Sequence, residues 1–143
     1  MRRTILRARA LGADGIVTGA LTGDGLVDEA TTRALVEAAR PLPVTFHRAI
    51  DRTPDPVAAV ATLGTLGVER VLSSGGAPTA REGTATLAAM VRRAGESLSV
   101  MAGGRVRADN AATLVRATGV REVHAHLGPD ERAVKALVSS VAR

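Results

Sequence analysis

Five β-strand patterns alternate with helix patterns along the 143 residues, the loops between them are short and carry Gly or Pro, and polar groups gather at the strands' carboxyl ends. These observations predict an α/β fold of five parallel βα units, since parallel strands need crossover connections and such crossovers are right-handed. Polar strand ends, with no Gly-x-Gly-x-x-Gly turn after the first strand, favour part of a (β/α)8 barrel of the TIM type over a doubly wound sheet. A closed barrel takes about 250 residues. One domain over residues 1–143 therefore corresponds to a partial barrel.

The elements follow in order. Ile5, Leu6 and Ala10 set against Arg3, Arg7 and Arg9 give a short amphipathic helix that ends at Gly12. Asp14 to Gly19 reads as a strand and Ala20 to Gly25 as the loop at its carboxyl end. Asp28 is placed to cap a helix reaching Arg40, because a carboxylate there can accept from the unpaired amides of the first turn. Pro41 and Pro43 stop that helix and lead into the strand Val44-Thr45-Phe46-His47. Asp55-Pro56 is a cap followed by a proline at the first helical position, with Val57, Val60, Ala61 and Gly64 at helical spacing. The strand Glu69–Ser74 comes next, then the loop Gly75–Pro78, and a helix from near Thr79 with Leu87, Met90, Val91 and Ala94 on one stripe. Met90 reads as core filling. A fourth strand, Leu98–Met101, runs into Ala102-Gly103-Gly104-Arg105, and Ala111, Leu114 and Val115 mark a helix that stops at Gly119. Arg121–His126 is the fifth strand and Asp130–Val141 the last helix. The segments around Gly12, Gly67 and Gly119 resemble one another, each a helix end, a glycine cap and a strand.

Composition removes several classes of function. Phe46 is the only aromatic residue of the Phe/Trp/Tyr set, so base stacking and aromatic cages lack their side chains. The net charge of +5 comes almost wholly from arginines scattered along the chain, with Lys135 the one lysine, and such scatter does not predict nucleic-acid binding. Without cysteine there is no disulfide, thiolate metal site or cysteine nucleophile. Met1-Arg2-Arg3 leads into Thr4–Arg9, which breaks any apolar run, and no stretch is long enough to span a bilayer, so the expectation is a soluble, cytoplasmic protein with no membrane partner.

The run Val44-Thr45-Phe46-His47-Arg48-Ala49-Ile50-Asp51 carries the strongest functional signal, because a β-branched start gives way to an imidazole, a guanidinium and a carboxylate where α/β folds place their chemistry. Together with Gly12–Val17, Gly19-Ala20-Leu21-Thr22, Leu72-Ser73-Ser74-Gly75, Met101-Ala102-Gly103-Gly104 and Val123-His124-Ala125, in this order and spacing, it resembles the CutC copper-homeostasis family over nearly the whole chain. The resemblance implies a cytoplasmic TIM-barrel protein of copper handling, with copper as its ion, and it leaves any reaction undefined. It also implies that the five strands are the fourth to eighth of a barrel whose first three are missing. Arg105 stands where a third glycine is usual, and His126 where a small residue is expected.

Three functional readings follow. As a metal-binding barrel, the chain would use His124 and His126, which share a strand face with Glu122, and His47 as a third ligand. These donors suit Cu(II), Zn or Ni better than Cu(I). As an enzyme on a small phosphorylated or carboxylated metabolite, it would use His47 as proton carrier, Arg48 as anion anchor and Asp51 to orient one of them. Gly103, Gly104 and Arg105, with Ser73 and Ser74, would then bind the anion. As a truncated, non-catalytic remnant, five strands would leave two open edges and an apolar interior, so the chain would be a homo-oligomer.

Overall fold

The computed structural model describes residues 1–128 and 130–141. Its elements are α1 (Arg2–Ala10), β1 (Ile16–Thr18), α2 (Glu29–Ala39), β2 (Val44–Phe46), a 3₁₀ turn (Arg48–Arg52), α3 (Pro56–Thr65), β3 (Arg70–Ser73), α4 (Thr84–Ala94), β4 (Ser99–Gly103), α5 (Ala108–Thr118), β5 (Glu122–His124) and α6 (Glu131–Val141). The five strands are all parallel and lie in chain order, β1-β2-β3-β4-β5. Since each right-handed crossover moves to the next strand in the same direction, every helix falls on one side of the sheet. That is the arrangement of a partial (β/α)8-type barrel.

Strand alternation sorts the side chains. Val44, Phe46, Val71, Ser73, Val100 and Ala102 are buried on the helix side, where they meet Leu35, Val60, Leu63, Leu87, Met90 and Leu114 in one apolar core. Thr45, Arg70, Leu72, Ser99, Met101 and Glu122 alternate onto the opposite face and stay partly exposed, and Val17 on β1 is 67% exposed. On this face Arg70 Nε lies 2.7 Å from Glu122 Oε2, and the Ser99 hydroxyl donates to Glu122 Oε1 at 2.6 Å. The Arg70–Glu122 contact has the distance of an ion pair but not the alignment of a hydrogen bond.

The helix signals act as expected at several ends. Asp28 accepts from the Thr31 amide at 2.9 Å, and Asp55 accepts from the Val57 and Ala58 amides at 2.9 and 3.0 Å, with Pro56 opening α3. Gly12, Gly67 and Gly119 all take positive φ, near 80°, which a side chain would resist. Three expectations shift. The buried face of α3 is Ala59, Val60 and Leu63, because the helix is apolar nearly all round and its stripe cannot be read from spacing alone. Helix α4 begins at Thr84, since the Thr79 hydroxyl draws the Glu82 amide and carboxylate into a separate turn ending at Gly83. β5 ends at His124, so His126 lies beyond the paired strand.

Gly75 and Gly83 let the β3–α4 connection fold back on the start of α4, for a Cβ on Gly83 would run into the Ser74 carbonyl oxygen and one on Gly75 into the Gly83 carbonyl. Gly83→Ala is expected to destabilise the fold by about 1–3 kcal/mol. The check is the urea midpoint, which should fall with the slope of the transition unchanged.

Candidate functional site

The carboxyl ends of the strands form a rim of loops, and its centre is the carboxylate of Asp51. After β2 the chain turns through Arg48–Arg52, and Asp51 is thereby aimed at the end of β3. It accepts from Arg48 Nε (2.8 Å), the Ser73 hydroxyl (2.5 Å), and the amides of Ser74 and Gly76 (3.1 Å each), and it lies 2.9 Å from the Ser74 hydroxyl. Ser73 in turn accepts from the Gly75 amide at 2.8 Å. Both serines are fully buried, and their hydroxyls are engaged inside this clasp.

Burial alone would raise the Asp51 pKa. The donors Ser73, Arg48, Gly76 and Ser74 together outweigh it and hold the carboxyl below its ordinary 3.8. The clasp therefore contributes stability in full above the unfolded carboxyl value, and that contribution is lost as pH falls through the lower folded value.

Arg48 is the exposed arm of the clasp, with 43% of its side chain in solvent. Its Nε is held by Asp51 and its Nη2 donates to the Ser74 hydroxyl at 2.5 Å. Its Nη1 faces the β4–α5 loop: a Cβ built on Gly104 would stand 3.6 Å from it. One fork of the guanidinium is thus fixed and the other is directed across the rim.

His47 takes a different direction. Its Nδ1 accepts from the Ala49 amide at 3.1 Å, which puts the proton of the neutral ring on Nε2. The ring lies against Gly19 at the end of β1, where an added Cβ would come within 2.7 Å of it. It lines an open cavity of about 390 Å³ with Gly19, Leu21, Gly23, Ala49 and Arg52. No hydrogen bond among the described residues joins His47 to Arg48 or Asp51, so the expected triplet is divided: Arg48 and Asp51 go to β3, and His47 to β1.

Of the other expected groups, Gly104 lies against Ser74 and Arg48, while Arg105 and the histidines lie elsewhere. Gly103 sits between Leu72 and His124, with no room for a side chain toward Leu72, and Gly104 takes φ +107°. Arg105 lines a groove on the helix side between α4 and α5. His124 and His126 are exposed at the end of β5, and His47 ends β2 three strand spacings away, each about 4.8 Å. Among the described residues no three His, Cys, Asp or Glu side chains are grouped to hold a metal ion, and His47 lies apart from His124 and His126. Glu122 is turned away from such a role by Arg70 and Ser99.

Two neighbours of His47 carry no signal of that role in the sequence: Arg52 joins it at its cavity, and Gly19 is the seat of the imidazole. Only the structure brings the β1 end against the β2 end.

Two measurements check this geometry. Asp51→Asn should lower stability at neutral pH by roughly 2–3 kcal/mol, because buried amides and an arginine lose a charged acceptor. The difference from the parent should narrow as pH falls below about 3.8, followed by unfolding at stepped pH. Gly19→Ala should leave the fold intact and move the imidazole, seen as a change in the His47 ring resonances with those of His124 and His126 unmoved.

The model of the CutC family matches residues 1–128. A family protein CutC of Xanthomonas campestris pv. campestris is 51% identical over 125 residues, which is 87% of this chain and 52% of that protein. The human copper homeostasis protein cutC homolog is 44% identical over 124 residues, 87% of this chain and 45% of that one. The chain thus spans about half the length of the curated relatives it matches. A crystal structure of a CutC protein from Streptococcus agalactiae superposes with a TM-score of 0.81 at 32% identity, covering 86% of this chain and 60% of that one. A mandelate oxidase, at 14% identity and a TM-score of 0.70, shares the fold alone. No described helix is long and apolar enough to cross a membrane. With its five parallel βα units, its Phe46–Asp51 rim block and this match over residues 1–128, the chain belongs to the CutC family.

Proposed function

We propose that this chain serves copper homeostasis in the cytoplasm through a strand-end rim that holds a small phosphorylated or carboxylated molecule. The copper link rests on the names of its relatives. The anion reading is carried by one observation: Arg48 is braced on one side by Asp51 and Ser74 while its Nη1 is turned toward the Gly104 loop. A guanidinium already fixed in this way loses little further freedom when an anion binds its open side. His47 then offers its Nε2 proton from the neighbouring cavity beside Arg52, the position of a hydrogen-bond donor or proton carrier. Asp51 is a positioning residue, since its lone pairs are spent on Arg48 and the β3 loop.

A second reading keeps copper as a direct ligand of His124 and His126. It is favoured by their joint exposure at the carboxyl end of the edge strand β5, where a further donor from another chain or segment could complete the site. Oligomerisation belongs with this reading, because two strand edges and exposed Val17 are open to a partner.

The two readings separate in one set of measurements. Inorganic phosphate should raise the melting temperature, followed by circular dichroism because the chain has no Trp or Tyr. The rise should disappear in Arg48→Ala and persist in His124→Ala/His126→Ala. Calorimetric titration of Cu(II) should give no high-affinity heat with the parent. A phosphate-insensitive melt together with copper heat abolished by the double histidine change would reverse the order of the two readings.

A further inference from the structure

Beside the rim and sharing Gly104 with it, a groove of about 330 Å³ opens between α4 and α5 on the helix side of the sheet. It exists because the facing residues are small: Ala80, Thr84, Gly104 and Ala117 leave space that larger side chains would fill. Its floor is apolar, with Ala80, Val106 and Leu114 all buried. Arg81 and Arg105 stand at its wall, and neither guanidinium has a hydrogen-bond or carboxylate partner among the described residues.

Arg105 is the one described non-glycine residue with positive φ, at +56°. A side chain there is strained, and the surroundings enforce it. Asn110 donates from Nδ2 to the Arg105 carbonyl at 3.0 Å and accepts from the Arg107 amide at 2.9 Å, which pins the loop from the first turn of α5. The backbone takes a glycine conformation, yet the position carries a guanidinium lining the groove. Asp109 lines the groove as well, so two guanidinium groups and one carboxylate leave it a single net positive charge.

We propose that this groove binds a small organic monoanion, a carboxylate with an apolar body, whose charged end is taken by Arg81 and Arg105 and whose chain lies along Ala80, Val106 and Leu114. The volume suits such a ligand, and the Asp109 carboxylate favours one negative charge over two. This site involves neither the strand edges nor the concave face of the sheet.

The test is titration of the whole 143-residue chain with hexanoate, read by amide chemical shifts, with hexanol as the uncharged control. The expected result is saturable shifts at Thr84, Leu114 and Ala117, with a dissociation constant of about 1 mM or tighter, and at least about tenfold weaker binding of hexanol. Arg105→Gly relieves the strained φ, so it should fold with an unchanged or higher melting temperature while weakening hexanoate by about tenfold. Absence of shifts in the groove, equal affinity for hexanol, or hexanoate affinity unchanged in a folded Arg105→Gly protein would each overturn the proposal. Phosphate protection at Arg48 is a separate readout, so the two sites can fail independently.

Discussion

The carboxylate of Asp51 is the constraint on which the rim depends. A single buried acceptor collects an arginine, two serine-bearing positions and the backbone amide of Gly76, all at the joint between β2 and β3. Backbone amides at a strand end have no ladder partner once the strand stops, and burying them unpaired would cost free energy. Asp51 supplies that partner from the neighbouring unit. The β3–α4 loop is consequently held in place, Gly75 can pack on Gly83, and Arg48 is fixed with one edge free. Asp51 therefore holds both the fold and the proposed anion anchor, and its role is structural before it is chemical.

The sheet has two different faces, and the difference has functional weight. The helix side is a continuous aliphatic core built without Trp or Tyr, in which Phe46 is the one large aromatic. The other face carries Thr45, Arg70, Ser99 and Glu122, with Leu72 and Met101 nearer the rim. In a closed (β/α)8 barrel, inward side chains form packed layers across the interior. The Arg70–Glu122 pair reaches across β4, which is the geometry of one such layer. The exposed Val17 at one edge and His124 at the other mark where that interior is open in this chain.

Glycines do distinct jobs along the rim, and two of them decide which side chains can act. Gly19 makes room for the His47 ring, so the imidazole sits at β1 and not at Asp51. Gly103 admits Leu72 beside His124. In each case a missing Cβ on one strand sets the position of a side chain on the next, a relation between neighbours in space that no local motif encodes.

The sequence by itself determined the alternation of elements, the parallel sheet and the family. Periodicity, proline stops, Asp caps and glycine ends are local signals, and each reports a local cost of placing the backbone. It also marked Phe46–Asp51 as a candidate functional block, because polar groups at the end of an apolar strand are costly unless used or satisfied. The tertiary structure alone decided how those groups divide. Arg48 and Asp51 join Ser73 and Ser74, His47 goes to Gly19, Arg105 lines a helix-side groove, and His47 stays apart from His124 and His126. The physical reason is that a strand end alternates its side chains between two faces and then turns. The partner of each side chain is thus set by which neighbouring strand comes within hydrogen-bond reach, and residues adjacent in the chain need not share it.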